Sequence, residues 1–78
     1  MERVTIYLRT SLYSIAGDNP HVPNGVMTLE GAIADRTGGG LLVDVSRFID
    51  GRGRDLKCAP MKLYLPMSKV DHAVVHDA

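Results

Sequence analysis

Apolar and polar residues alternate along several short stretches of the chain, and this alternation predicts β-strands. Near the start, Val4, Ile6 and Leu8 alternate with polar or aromatic neighbours, so a strand from Arg3 to Arg9 would have one apolar face. The same pattern predicts further strands over Val26–Asp35, Leu41–Ser46, Lys62–Leu65 and Val70–Val75. No stretch has the periodicity of a helix of ten or more residues, and at most one short helical turn is expected.

Turn-forming residues separate these strands. Pro66 lacks a backbone N–H, so a central strand cannot run through it. A helical turn is expected either near Pro66–Lys69 or at the start of the first loop. Residues Gly17–Gly25 form a long first loop, and Gly31 inside the second strand indicates a sharp bend or a close approach of two backbones. The pattern predicts an all-β fold: a small, strongly bent, five- to six-stranded antiparallel barrel that occupies residues 1–78 as a single domain.

The size of the chain limits what its core can contribute. Its 78 residues form one domain, and a lone core of this size is expected to supply roughly 3–5 kcal/mol of stability. Cys58 is the single cysteine of the sequence, so no disulfide within the chain can add to that value. Association with further copies is therefore an expected source of additional burial.

Charge and hydropathy narrow the classes of partner. Nine basic and nine acidic residues cancel, which argues against a general binder of phosphate backbones. No apolar run approaches the length of a membrane span, and the first residues lack the basic start and apolar centre of a signal peptide. With a single thiol, these features predict a cytoplasmic protein without a membrane partner.

Two segments resemble the motifs of SH3/Sm-like small barrels. Leu29–Ile33, followed by a turn and Leu41–Val43, is similar to the first Sm motif, in which a glycine lies in the bent strand. The closing strand–turn–strand, which ends with Val70–Val75, has the layout of the second motif. The positions of the uracil-binding Asp and Asn of that family are Thr37 and Leu41 here, so the resemblance implies the fold without its RNA-binding residues. The chain is also similar to short barrel proteins of environmental or mobile-cassette origin.

The sequence offers no catalytic or metal constellation. His72 and His76 would lie about 13 Å apart on a strand, which is too far for one metal ion. Cys58 and His21 fall in separate loops. Asp71 and His72 are adjacent, so on a strand their side chains would point to opposite faces. We therefore expect no metal, no cofactor and no enzymatic activity.

Self-association through strand edges is the leading interpretation of function. Apolar residues are left on the outward faces of the predicted strands, at Val26, Leu42 and Val75, and unpaired edges readily accept a strand from a neighbour. The candidate partner surface consists of Tyr7, Leu42, Tyr64 and Val75.

Two alternatives stay open. The first is a nucleic-acid-binding barrel, in which tyrosine rings stack on bases beside phosphate-binding arginines. Its candidate contacts are Arg9, Tyr13, Arg52 and Arg54, with Tyr7 as a further ring. The second is a module that binds a small molecule or a peptide through the long loop Gly17–Gly25.

Overall fold

The computed structural model describes residues 2–12 and 23–76, which form an antiparallel β-sheet. The strands are β1 (Arg3–Leu12), β2 (Val26–Thr37), β3 (Gly40–Asp50), β4 (Met61–Pro66) and β5 (Val70–His76), and a 3-10 turn, η1 (Met67–Lys69), joins the last two. The strand order is β4-β3-β2-β1-β5. The prediction of an all-β antiparallel fold with one short helical turn is confirmed. β4 and β5 lie at opposite ends of this order, so the described sheet is open and is not a hydrogen-bonded closed barrel.

One face of the bent sheet encloses the hydrophobic core. The predicted inward residues of β1, Val4, Ile6 and Leu8, are buried, as are Val43 and Val45 of β3. The remaining buried apolar residues are Val26, Leu29, Phe48, Leu65 and Val70. Strict alternation along β1 and the first half of β3 thus produces the core face that the sequence predicts.

Irregularities in register change which residues face the core. Val26 of β2 is opposite Asp50, whereas Thr28 is opposite Ile49, so β2 carries an extra residue between them. Such a bulge interrupts the alternation of faces. Val26 is consequently completely buried, and the prediction that it lies on the outward face is wrong.

A second bulge lies where β2 bends. Glu30 is opposite Arg47 and Gly31 is opposite Val45, so Ser46 is the extra residue of β3. The shift places Phe48 on the core side, where it is fully buried and continues the strand. A Cβ atom added at Gly31 would lie 2.0 Å from the Asp44 carbonyl oxygen. The close backbone approach predicted at this glycine is therefore present.

The turn between the two edge strands is fixed by contacts with other parts of the sheet. The Met67 amide donates a hydrogen bond to the Gly39 carbonyl oxygen at 3.0 Å. The Lys69 ammonium donates to the Thr10 hydroxyl at 2.8 Å, and Arg9 Nε donates to the Val70 carbonyl oxygen at 3.1 Å. These bonds hold η1 against β1 and the β2–β3 turn, so β4 and β5 leave it in defined directions.

Candidate functional site

The edge strand β5 is the most exposed element of the described sheet. Val70 is buried, but every residue of 71–76 is exposed. Ala73 and Val75 face the same side of the sheet as Ile6 and Val4, their cross-strand neighbours in β1, so the prediction that Val75 lies on an outward face is wrong. Val74 on the opposite side is 43% exposed and Val75 is 51% exposed. Apolar side chains on both sides of β5 are therefore left open to solvent.

The edge strand β4 presents a more ordinary amphipathic pattern. Leu63 and Leu65 lie opposite Val43 and Leu41 and pack with the core. Tyr64, on the other side, lies opposite Leu42 and is 49% exposed. Each edge strand thus has apolar side chains on the core side.

The four predicted partner residues lie in two places. Leu42, which is half-buried, and Tyr64 form a cross-strand pair beside the β4 edge, whereas Val75 lies on β5. Tyr7 is in β1, one strand in from the β5 edge. The structure therefore divides these residues between two edges of the sheet and does not join them into one patch.

An exposed pair of stacked rings lies next to the β5 edge. The rings of Tyr7 and His72 are 4.6 Å apart between centroids and inclined by 17°. His72 Nδ1 lies 3.0 Å from Asp71 Oδ2, so the prediction that these two side chains point to opposite faces is wrong. Tyr7 is opposite His72 and Leu8 is opposite Val70, so Asp71 is an extra residue of β5, and the alternation of faces is interrupted there. His72 was not among the candidate residues that the sequence offered. The stack depends on the register between β1 and β5, and sequence alternation alone does not specify that register.

The side of the sheet away from the core, the outer face, carries two arginines of β1. Arg3 has no ion-pair or hydrogen-bond partner for its guanidinium within residues 2–12 and 23–76. A surface groove of about 210 Å³ beside it is lined in part by Thr5, Glu30 and His76. The Thr5 hydroxyl and His76 Nε2 are 2.8 Å apart. Arg9 lies further along the same strand.

The arginine-rich loop after β3 is organised around Asp50. Its carboxylate accepts hydrogen bonds from the backbone amides of Arg52 and Arg54, each at 2.9 Å, and from Arg54 Nε at 3.0 Å. These donors, the Arg54 amide foremost, hold the pKa of Asp50 below its usual value. The Arg54 charge is thus matched within the loop.

A second carboxylate holds the other end of the same loop. Asp55 accepts the Lys57 amide at 2.8 Å and Arg47 Nε at 3.3 Å, and these contacts, the amide first, lower its pKa. Arg47 also donates to Glu30 at 2.9 Å, which connects the loop to β2. The loop is therefore a folded structural unit rather than an open basic arm.

The predicted nucleic-acid contacts that the structure describes lie on two different elements. Arg9 lies on β1 beside Val70, whereas Arg52 and Arg54 belong to the Asp50 loop. Tyr13 falls outside the described residues, as does residue range 17–22 of the predicted ligand-binding loop. The structure instead places Arg9 on the same strand as Arg3 and Tyr7.

No family model, curated protein or solved structure matches the chain. The SH3/Sm-like resemblance accordingly stays a prediction. Within the described ranges, no three His, Cys, Asp or Glu side chains are grouped so that they could hold a metal ion. The part of the chain that the structure covers also has no helix with the length and apolar character of a membrane span.

Proposed function

We propose that the protein is a non-enzymatic assembly module in which β4 of one copy pairs with β5 of the next. The observation that carries this proposal is the exposure of β5. This strand is ordered over Val70–His76, yet residues 71–76 are exposed on both sides of the sheet. A strand in this state offers a neighbour both unpaired backbone groups and apolar side chains.

The cost of ordering β5 supports a role for a partner. Fixing the backbone of one residue costs roughly 1–2 kcal/mol of conformational entropy. Val70 buries its side chain, but the six residues after it recover little of this cost through burial. Among the described residues, no strand pairs with the outer edge of β5. An added strand would pair with that edge and remove Val74 and Val75 from water, at about 25 cal/mol for each Å² of apolar surface covered.

The side-chain rows of the two edges are compatible. Four successive antiparallel pairings separate β4 from β5, so the two strands run in the same direction, and a neighbour whose core side lies on the same face pairs in parallel. A register that places Leu63 of one copy opposite Ala73 of the next then places Leu65 opposite Val75. Both pairs then lie on the core side and are apolar. On the outer face, the same register brings Tyr64 beside Val74, an aromatic–β-branched pair of the kind that stabilises sheets.

The pairing would be heterologous, because it joins two different edges. Each copy then uses its β4 edge and its β5 edge once, and a closed ring leaves neither edge exposed. A β5–β5 dimer, by contrast, would leave both β4 edges open. This difference favours a ring over a twofold dimer.

The SH3/Sm-like character of the fold and a cytoplasmic location belong to the same proposal. The close backbone approach at Gly31 and the short turn η1 between the edge strands support the former. The single thiol of Cys58 supports the latter.

Light scattering coupled to size-exclusion chromatography tests the proposal directly. We expect the wild-type chain to be a discrete oligomer at tens of micromolar, and the variant Val75→Lys to be a monomer. Val75 is about half exposed in the single chain, so a lysine there is tolerated by the monomer but would be buried against Leu65 in the assembly.

Ala34→Lys is the matched control. Ala34 is exposed in β2, away from both edges, so this variant adds the same charge and should keep the wild-type mass. Circular dichroism should show the same strand content in both variants. A strictly monomeric wild type would refute the proposal, and so would an equal loss of mass in the two variants.

A further inference from the structure

We propose that the outer face of β1 binds a short segment of single-stranded nucleic acid. One base stacks on the Tyr7–His72 pair, and the flanking phosphates contact Arg3 and Arg9. The inference does not depend on assembly, since it uses side chains of the outer face rather than the backbone of the strand edges.

The stacked pair leaves one ring face available. His72 covers the face of Tyr7 that looks toward β5, yet 37% of Tyr7 is exposed. On the β2 side, the cross-strand neighbour of Tyr7 is Thr28, whose short side chain does not reach the height of a ring. A base placed above Thr28 would form the third layer of the stack, at the spacing of neighbouring strands. The stacking surface accepts any base, because every base has a π-face.

The strand β1 is positively charged although the chain is neutral. β1 contains Arg3 and Arg9 and no acidic residue. Two acidic side chains close to the strand are already paired: Glu2 with Arg36, and Glu30 with Arg47. A third, Asp71, contacts His72 on β5.

The spacing of the two arginines suits an extended strand of nucleic acid. Arg9 lies two residues from Tyr7 and Arg3 lies four residues away on the other side, which corresponds to roughly 7 and 13 Å along the strand. Within residues 2–12 and 23–76, the Arg3 guanidinium has no ion-pair or hydrogen-bond partner. Along β1, one arginine therefore lies on each side of the Tyr7–His72 pair.

Fluorescence polarisation of a labelled oligothymidine of about ten nucleotides, titrated with the full chain, tests the proposal. Two phosphate contacts on a single strand predict a log–log salt slope of about −1.4, so affinity should fall about sevenfold between about 50 and 200 mM salt. Arg3→Gln should halve that slope. Tyr7→Val should weaken binding by at least about fivefold, whereas Tyr7→Phe, which keeps the ring, should bind like the wild type.

Arg52→Gln provides the matched control, since it removes the same charge from the loop after β3 rather than from β1. This variant should leave the affinity and its salt dependence unchanged. Three results would overturn the proposal. The first is no salt-dependent binding with protein at about 100 µM, the weak end of non-specific affinity. The second is an Arg52→Gln effect equal to that of Arg3→Gln. The third is equal affinity for a duplex, in which no base is free to stack.

Discussion

Replacing Gly31 by alanine should severely destabilise the fold. A Cβ at this position would lie 2.0 Å from the Asp44 carbonyl oxygen, 2.9 Å from its carbonyl carbon and 3.0 Å from Val45 Cα. All three atoms belong to the backbone of β3, so no side chain can rotate away to make room. Because ordinary carbon contacts begin near 3.5 Å, β3 would have to move by more than about 1 Å.

The expected loss can be compared with the total stability of the chain. Forcing extra volume into a packed site typically costs 1–3 kcal/mol, and the backbone contacts at Gly31 place the variant at about 3 kcal/mol. Alanine also reduces the conformational entropy of the unfolded chain, which offsets about 0.4–1 kcal/mol of this loss in stability. The net loss of about 2–3 kcal/mol is about 40% or more of the roughly 3–5 kcal/mol expected for a domain of this size.

Urea unfolding followed by circular dichroism, at one fixed protein concentration, measures this loss. With a urea m-value of about 1 kcal/mol/M, the midpoint of Gly31→Ala should fall by about 2–3 M. Gly38→Ala is the control, because an added Cβ there meets no atom within 4 Å and Gly38 does not have a positive φ. Its midpoint should stay unchanged or rise. A Gly31→Ala midpoint within about 0.3 M of wild type, or an equal fall in both variants, would refute the argument.

Two further perturbations probe the core and the loop. Phe48→Ala removes a fully buried ring at a cost of about 3–5 kcal/mol, so the amide NMR spectrum of this variant should lose its dispersion. Ile49→Ala is the control, because Ile49 is half-buried, and this variant should stay folded. A dispersed spectrum for Phe48→Ala would contradict the prediction. The lowered pKa values of Asp50 and Asp55 mean that their charged forms stabilise the fold above the ordinary value of 3.8, and that this contribution is lost as pH falls through the lower folded-state values. The urea midpoint should therefore fall on acidification, and less so in a variant with asparagine at both positions; identical pH profiles would show that the loop contacts do not contribute.

Sequence alternation predicts the core where the strands are regular. Val4, Ile6 and Leu8 follow a strict period of two along β1, and all three are buried. The alternation fails at Val26, which precedes the extra residue of the bulge in β2, and at Phe48, which follows the extra residue of the bulge in β3. A bulge is the product of pairing between two strands, so neither strand alone contains the information that locates it.

The candidate surfaces also combine features that alternation predicts with features that depend on how the strands pair. The exposure of Tyr64 follows from alternation, whereas Val75 faces the core side and is exposed because β5 is an edge strand. The Tyr7–His72 stack requires the pairing of residues at opposite ends of the chain, in one particular register. The Asp50–Arg54 pair is local and could be anticipated, whereas Asp55 pairs with Arg47 across the loop, a contact that depends on how the loop folds back on β3.

Assembly and nucleic-acid binding should reinforce each other through β5. His72 supports the ring of Tyr7 from this strand, and the strand has little burial of its own to keep it in place. A neighbouring β4 that pairs with β5 would order it and hold the imidazole against Tyr7 before a base arrives, so less ordering entropy is lost on binding. The coupling must be reciprocal: the oligonucleotide should favour assembly to the same extent that assembly favours the oligonucleotide. Val75→Lys, which leaves the outer face intact, should therefore lower oligonucleotide affinity as well as oligomer mass, whereas Ala34→Lys should lower neither. Undiminished affinity in a monomeric Val75→Lys variant would show that the two surfaces act independently.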